Sequence, residues 1–277
     1  MHLRTHVNQI FITRLPFLIY LIILENLMPY VSFITDARFK KIISEILAIG
    51  DTAQIKANEE FERNVIDPFS MLMEMACFDM DFDNWLKSEK SRQIQKTLSN
   101  DIGMLHQKIL GSVKGWKDLK VGGGIDLANP KRKIIAEIKN KHNTVTGGKR
   151  VNNYQELDKL VMPKASHYKG YTAYFVEIIP STAQGYEKPF TPSDKERGIR
   201  CEANPKIIQI DGNRFYKLVT GVDDALEQVF KAIPKVIKDC RAAISMSGVE
   251  EADQFFKSAY VPKPPKTSRR KNPKASK

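Results

Sequence analysis

Three residues near the middle of the chain combine side chains and spacing that suit phosphate chemistry: Asp126, Glu137 and Lys139. The segment from Ile134 to Lys139 is apolar and rich in β-branched residues, which predicts a strand. Side chains two positions apart on a strand project from the same face, so Glu137 and Lys139 are expected to be neighbours. A carboxylate and an ammonium group would then act at one place.

A turn before this strand is expected to bring Asp126 beside Glu137. Asn129-Pro130, followed by three basic residues, has the composition of a turn, and residues 124–128 are predicted to form the first strand of a hairpin. Two carboxylates at the mouth of a hairpin can hold Mg²⁺, which prefers oxygen ligands. Lys139 could orient or deprotonate an attacking water and offset charge that develops on a phosphate. The pattern predicts a magnesium-dependent phosphodiesterase.

A Glu-x-Lys pair alone has a simpler explanation, because charge pairs of this kind usually form solvated surfaces. The added aspartate, the hairpin and the basic surroundings favour the catalytic interpretation. Between positions 131 and 150 the single acid is Glu137, and the basic residues are Lys131, Arg132, Lys133, Lys139, Lys141, Lys149 and Arg150. A surface with these charges attracts phosphate.

The Asp126 and Glu137-Ile-Lys139 pattern resembles the PD-(D/E)XK nuclease superfamily, with Ile125 where the usual motif has proline. Longer segments are similar to type II restriction endonucleases of the Eco-forty-seven-II group. These segments are residues 124–129, 137–144, 189–194, 210–216 and 220–221, and the similarity covers roughly residues 28–245.

This resemblance implies an α/β fold with a restriction-endonuclease-like core, in which helices flank a central mixed sheet. It implies a cytoplasmic type II site-specific deoxyribonuclease that uses Mg²⁺ to cut unmethylated double-stranded DNA at a short palindrome, with a site of the GG...CC form expected. Palindromic cutting favours a homodimer with one active site per strand. A cognate DNA methyltransferase is expected in the same system, and no membrane partner is expected.

The resemblance also implies further metal ligands. The backbone carbonyl of Ile138 is one, and a helix before the hairpin often supplies an extra acid. Asp101, at the edge of an apolar stripe from Ile94 to Ile109, is the candidate, and Glu62 is the runner-up. An acid at the edge of a stripe is more often a simple boundary residue.

Two polar segments are predicted to contact DNA, because Arg and Lys can pair with guanine edges and with phosphates. The first follows the catalytic strand, and the second is expected to be a long polar loop. The candidates are Lys141, His142, Asn143, Thr144, Lys149, Arg150, Ser193, Arg197 and Arg200. For any one of them, plain surface charge is the competing interpretation.

Composition agrees with a folded protein that binds a polyanion. The 277 residues are 42% hydrophobic, the formal net charge is +12, and the three cysteines have no spacing typical of disulfides or zinc sites. We expect one endonuclease domain over residues 28–261 and a disordered basic tail over 262–277, which contains seven Lys or Arg and no acid. Residues 1–27 contain an apolar run and are interpreted as an overlong gene start, with a membrane-targeting helix as the alternative.

Periodicity predicts alternating helices and strands around the hairpin. Helices are expected from Asp36, as the capping residue, to about Ile49, over residues 55–77 with a break near Pro68, from Ser91, and over residues 154–161. Asp223 or Asp224 is expected to cap a final helix that Pro234 ends or kinks. Residues 170–179 are predicted to form a buried strand beside the catalytic one. Asp211-Gly212, between two apolar segments, predicts a β-hairpin.

Two other functions remain open from the sequence. One is a repair or recombination nuclease of the same superfamily, which would degrade DNA without discrete fragments. The other is a non-catalytic DNA-binding protein, in which Glu137→Ala would leave binding unchanged and no cutting would occur. A membrane-anchored protein is a more distant alternative.

Overall fold

A six-stranded mixed sheet lies at the centre of the computed structural model, which describes residues 28–63, 65–119 and 124–262. The strands are β1 Lys117–Asp118, β2 Leu127–Asn129, β3 Ile134–Lys141, β4 Thr172–Ile179, β5 Glu187–Pro189 and β8 Ile207–Asp211. Their order across the sheet is β1-β2-β3-β4-β8-β5. The pairs β1–β2, β2–β3 and β5–β8 are antiparallel, whereas β3–β4 and β4–β8 are parallel. A separate two-stranded ribbon consists of β6 Ser193–Asp194 and β7 Ile199–Arg200.

Helices cover both faces of this sheet, which is the α/β arrangement that was predicted. They are α1 Asp36–Glu59, α2 Pro68–Phe78, α3 Phe82–Gly103, α4 Leu105–Leu110, α5 Gly147–Val161, α6 Gly212–Thr220, α7 Ala225–Cys240 and α8 Val249–Tyr260, with a short 3-10 helix at Phe61–Arg63. No helix in the described part of the chain is long and apolar enough to cross a membrane.

The two faces of the sheet form separate cores, because side chains alternate along each strand. On the first face Ala136 and Ile138 of β3 belong to a large cluster with residues from α1, α4, α6 and α7. On the second face Ile135 packs with Phe175 of β4 and with Leu157 of α5. The odd-numbered residues of β3 therefore face α5, and this determines where Glu137 and Lys139 lie.

The predicted strand over residues 170–179 is confirmed. It forms β4, which runs parallel to β3 with Glu137 paired to Phe175 and Lys139 paired to Glu177. Six consecutive residues of β4, from Ala173 to Ile178, are buried. An apolar run is expected where a parallel strand has helices on both sides.

The predicted Asp211-Gly212 hairpin is wrong. Asp211 ends β8, and its side chain accepts a hydrogen bond from the backbone N–H of Arg214 at 3.1 Å, so it caps α6. The following segment is a helix whose buried side chains Phe215, Tyr216 and Val219 recur with helical spacing. An aspartate before a glycine favours a turn and a helix N-cap alike, and burial of this apolar face selects the helix.

Several helix bounds also differ from the prediction. Helix α1 is capped by Thr35 and continues to Glu59, because Ala53 and Ala57 are buried beyond the predicted end. Asp67 caps α2 and Pro68 is its first residue, as the predicted break near Pro68 suggests. Helices α3 and α5 begin earlier than expected, and α7 continues past Pro234. The basic tail beyond Pro262 and the N-terminal extension, residues 1–27, lie outside the described residues.

Gly212 should tolerate no side chain, because α6 begins against the backbone of β4. A β-carbon at this position would lie 2.4 Å from the carbonyl oxygen of Ile178. We expect Gly212→Ala to lower the free energy of unfolding by about 2 kcal/mol, the usual cost of overpacking. Gly148, in α5, has no atom within 4 Å of such a β-carbon. Urea denaturation should therefore show Gly148→Ala to be neutral or stabilising, and equal effects of the two variants would contradict this packing argument.

Candidate active site

The hairpin of β2 and β3 places Asp126 opposite Glu137. Leu127 pairs with Ala136, and the backbone N–H of Asp126 donates to the carbonyl of Ala136 at 2.9 Å. At the other end the side chain of Asn129 accepts from the backbone N–H of Arg132 at 3.1 Å, which stabilises the turn. The hairpin and its turn are confirmed, although the first strand begins at Leu127 instead of residue 124.

Hydrogen bonds join Lys139 to Glu137 and fix Asp126 on the backbone between them. The backbone N–H of Ile138 donates to Oδ2 of Asp126 at 2.7 Å, and Nζ of Lys139 donates to Oε1 of Glu137 at 2.5 Å. The side chains of Lys139 and Glu137 are 22% and 15% exposed, so a ligand can reach both while little bulk water surrounds them. The structure thus brings the three predicted catalytic residues together.

Electrostatics at this cluster favour the binding of a cation. Burial, together with the negative charge of Asp126, raises the pKa of Glu137 to about 7, against the opposing effect of Lys139. Burial also raises the pKa of Asp126, although the N–H of Ile138 and the charge of Lys139 oppose this shift. Two neighbouring carboxylates in a poorly solvated place cannot both ionise easily without a cation. A divalent ion would relieve this repulsion.

Two further acids, Asp118 and Glu156, act on this site and were missed by the sequence analysis. Asp118 on β1 raises the pKa of Asp126 through its charge, and Glu156 on α5 does the same to Glu137. The buried amide of Gln107 donates to Oδ1 of Asp118 at 2.8 Å. No apolar alternation around Asp118 indicated β1, because the polar pair Lys117 and Asp118 lies between Trp116 and Leu119. Nothing local indicated that Glu156 would act on the hairpin.

The donor set fits a hard cation that keeps several of its waters. Asp126 and Glu137 supply carboxylate oxygens on one face, which suits Mg²⁺ better than metals that need sulfur or several imidazoles. Among the described residues, no three His, Cys, Asp or Glu side chains form a group that could hold a metal ion. The two carboxylates would therefore need backbone and water oxygens to complete the coordination, and the carbonyl of Ile138 remains a proposed ligand.

The structure does not place Asp101 with the two carboxylates. Asp101 lies on α3, and its neighbours on that helix, Leu98 and Ile102, pack against the cluster on the first face of the sheet. Glu137 projects from the second face. The side chain of Glu62 lies outside the described residues.

The predicted DNA contacts fall in two places and in different environments. Lys141, at the end of β3, and Thr144 exchange hydrogen bonds in a turn, and His142 donates its backbone N–H to Ile179. Asn143 and Lys149 are exposed nearby. Arg150 instead pairs with the buried Glu177. The expected polar loop is the ribbon of β6 and β7, which includes Ser193 and Arg200 and has Arg197 near its tip.

When no metal is present, the folded protein should become less stable as the pH rises, because of Glu137 at this site. Because the pKa of Glu137 rises from its usual 4.5 to about 7, the folded protein binds its proton more tightly than the unfolded chain does. The stabilisation that this tighter proton binding gives to the folded protein is fully present below about pH 4.5, and it is lost as the pH rises through about 7. We expect Glu137→Gln to remove about 1 to 3 kcal/mol of the difference in unfolding free energy between pH 5 and pH 8.

Urea denaturation in chelator at both pH values would measure this difference. Glu196→Gln, at an exposed acid next to the β6–β7 ribbon, is the control and should leave the pH dependence as it is in the original chain. If Glu137→Gln leaves the pH dependence of the unfolding free energy unchanged, the pKa of Glu137 is not raised in the folded protein.

A hairpin that presents aspartate, glutamate and lysine on a mixed sheet between helices is the arrangement of the restriction-endonuclease-like class of nucleases. Residues 31–241 match the family model described as Eco47II restriction endonuclease, and the chain belongs to that family.

Two curated relatives agree with this assignment. The chain is 46% identical over 211 residues to type II restriction enzyme Eco47II of Escherichia coli, covering 76% of this chain and 88% of the relative. It is 31% identical over 214 residues to type II restriction enzyme Sau96I of Staphylococcus aureus, covering 76% and 80%. The predicted class, a site-specific restriction endonuclease, is confirmed. Enzymes of this class act on double-stranded DNA and are generally metal-dependent.

Proposed function

We propose that this chain hydrolyses phosphodiester bonds of double-stranded DNA at a short palindrome of the GG...CC form, with Mg²⁺ as its cofactor. The observation that carries the proposal is the contact of Lys139 with Glu137 directly beside Asp126, on one face of the sheet. An ammonium group next to two carboxylates of raised pKa is what a metal-assisted attack of water on phosphate requires. A purely structural ion pair would need no second carboxylate.

Each of the three side chains has a separate part in the proposed reaction. Asp126 and Glu137 would hold the ion, and the N–H of Ile138 orients the Asp126 carboxylate. When bound, Mg²⁺ polarises the scissile phosphate and lowers the pKa of a coordinated water. Lys139 would orient the attacking water and offset negative charge that develops on the oxygens of the pentacoordinate phosphorus. Its short contact with Glu137 keeps the ammonium at the reacting centre.

DNA is proposed to lie across the exposed ends of β3 and α5 and the ribbon of β6 and β7. Lys141, His142, Asn143, Thr144 and Lys149 would contact phosphates or bases next to the hairpin, and the ribbon would carry Ser193, Arg197 and Arg200. An antiparallel ribbon of two strands has dimensions that fit the major groove. A palindromic target supports a homodimer related by a two-fold axis. A cognate DNA methyltransferase would protect the host, and the cytoplasm is the proposed location.

Arg197 offers a test of the ribbon, because its side chain is 72% exposed and only loosely paired with Asp194. We expect Arg197→Ala to weaken binding to the target sequence about 10- to 100-fold, the usual value of one base contact, and to change binding to unrelated DNA much less. Lys238→Ala, which removes an exposed charge on α7, is the control. A uniform loss on all sequences would indicate a phosphate contact instead.

The proposal as a whole is tested by incubating the purified protein with unmethylated phage DNA, with and without Mg²⁺, and sequencing the fragment ends. Discrete ends that share one palindrome and require the ion are the expected result. Smears or degradation from DNA ends would favour a repair or recombination nuclease. Intact DNA under all conditions, with binding retained, would contradict the proposed hydrolysis.

A further inference from the structure

A second carboxylate lies beside Lys139 and could compete for it. The parallel register of β3 and β4 pairs Lys139 with Glu177, so the two side chains leave the sheet on the same face. Neighbouring strands are about 4.8 Å apart, within the length of a lysine side chain. Glu177 is 1% exposed, so its charge needs a nearby cation. Lys139 nevertheless contacts Glu137 and not Glu177.

Three donors satisfy Glu177 from other directions. Arg150 of α5 forms an ion pair with Oε1, while the hydroxyl of Tyr186 and the amide of Gln209 donate to Oε2, the amide at 2.7 Å. Both carboxylate oxygens of Glu177 are therefore engaged by groups other than Lys139.

The position of Arg150 is itself tightly held. Its guanidinium donates to the backbone carbonyl of His142 at 3.2 Å and lies beside two aromatic rings, 5.2 Å from the centre of Phe175 and 5.4 Å from that of Phe190. These rings stack on each other with centres 4.3 Å apart. A guanidinium that is hydrogen-bonded to a backbone carbonyl and packed beside two stacked rings has little freedom to leave Glu177.

We propose that Arg150 is a positioning residue, which neutralises Glu177 and thereby keeps the ammonium group of Lys139 on Glu137. Without Arg150, the buried carboxylate of Glu177 would be the strongest attractor for Lys139, because charge interactions are large where water is excluded. Lys139 would then leave the reacting centre while the fold and the hairpin remained. This inference rests on the proposed role of Lys139 in cleavage.

The competing interpretation of Arg150 is the predicted direct contact with DNA, and a pair of substitutions separates the two. Arg150→Gln removes the cation, and Glu177→Gln removes the competing charge. If Arg150 acts through Glu177, the second substitution repairs the effect of the first. If Arg150 acts on DNA, the second substitution repairs nothing.

The experiment compares Arg150→Gln, Glu177→Gln and the double variant with the original chain. It measures single-turnover cleavage at saturating enzyme and Mg²⁺, DNA affinity without metal, and thermal unfolding. We expect Arg150→Gln to cleave roughly 30-fold more slowly or worse, as when a positioned acid–base group is lost, and the other two chains to stay within about 3-fold of the original rate. DNA affinity should change little in any of them.

Two results would overturn the inference. One is an Arg150→Gln chain that cleaves within about 3-fold of the original rate. The other is a folded double variant that remains as slow as Arg150→Gln, which would assign Arg150 a direct contact with DNA. If Arg150→Gln fails to fold, the double variant of Arg150→Gln with Glu177→Gln decides alone. Cleavage within about 3-fold of the original rate would support the inference, and a folded double variant that cleaves slowly would overturn it.

A crystal structure of Arg150→Gln tests the inference independently of activity. The ammonium group of Lys139 on Glu177 would support it, and the ammonium group still on Glu137 would overturn it. Lys139→Met tests the proposed function separately. If that variant cleaves normally, the proposed role of Lys139 fails, whereas the position of Lys139 in Arg150→Gln still decides whether Glu177 competes for it.

Discussion

Replacing Lys139 by methionine should lower the single-turnover cleavage rate about 10³-fold, within the range for loss of a group that handles a proton or stabilises developing charge. Methionine keeps most of the side-chain volume and removes the ammonium that contacts Glu137 at 2.5 Å. DNA affinity measured without metal should stay within about 3-fold, because Lys139 is only 22% exposed. The loss should therefore appear in the chemical step and not in binding.

Lys131→Met provides the matched control for this experiment. Lys131 is an exposed lysine in the turn of the same hairpin, at the end away from Asp126 and Glu137. The control removes the same charge and should cleave at close to the original rate. If the cleavage rate falls by the same small factor in both variants, the loss comes from removing one positive charge near the DNA. Lys139 would then have no specific role in catalysis.

Divalent metal should control both activity and stability. Chelation is expected to abolish cleavage, and added Mg²⁺ should restore it because the two partly buried carboxylates, which have one lysine beside them, ionise together more easily with a divalent ion. At pH 8 a concentration about 100-fold above the dissociation constant should stabilise the folded protein by about 2.7 kcal/mol. Glu137→Gln should lose most of this stabilisation together with cleavage.

The same Glu137→Gln chain should be more stable than the original one in chelator at pH 8. The glutamine replaces a partly buried carboxyl group whose pKa is about 7, so the charge repulsion between this group and Asp126 disappears. Thermal unfolding with and without Mg²⁺ measures both effects. Equal stabilisation by Mg²⁺ in Glu137→Gln and in the original chain would place the ion elsewhere and contradict the proposed ligands.

The hairpin could be predicted from sequence because its determinants are local. A β-branched run, a turn with asparagine and proline, and the spacing of Glu137 and Lys139 require no knowledge of distant residues. The apolar run of β4 was equally clear, since a strand with helices on both sides must be hydrophobic along its length. The metal ligands and the DNA contacts remain predictions.

The failures have physical reasons that are not local. Asp211-Gly212 suits a hairpin turn and a helix N-cap, and burial of Phe215 and Tyr216 against the first face of the sheet selects the helix. Arg150 looked like any other residue of a basic segment. Its pairing with Glu177 depends on how α5 packs on β4, and no local pattern reports that contact.

The amino-acid sequence by itself determined the class of this protein, the reactive hairpin and the order of most elements, because these depend on periodicity and on side chains close together in the chain. Only the tertiary structure decided what surrounds the hairpin. It places Asp118 and Glu156 where their charges act on the two carboxylates, and it pairs Arg150 with Glu177. The helix that carries Asp101 packs on the face of the sheet opposite to Glu137. Burial and charge at a site are sums over all packed neighbours, and those neighbours come from distant parts of the sequence.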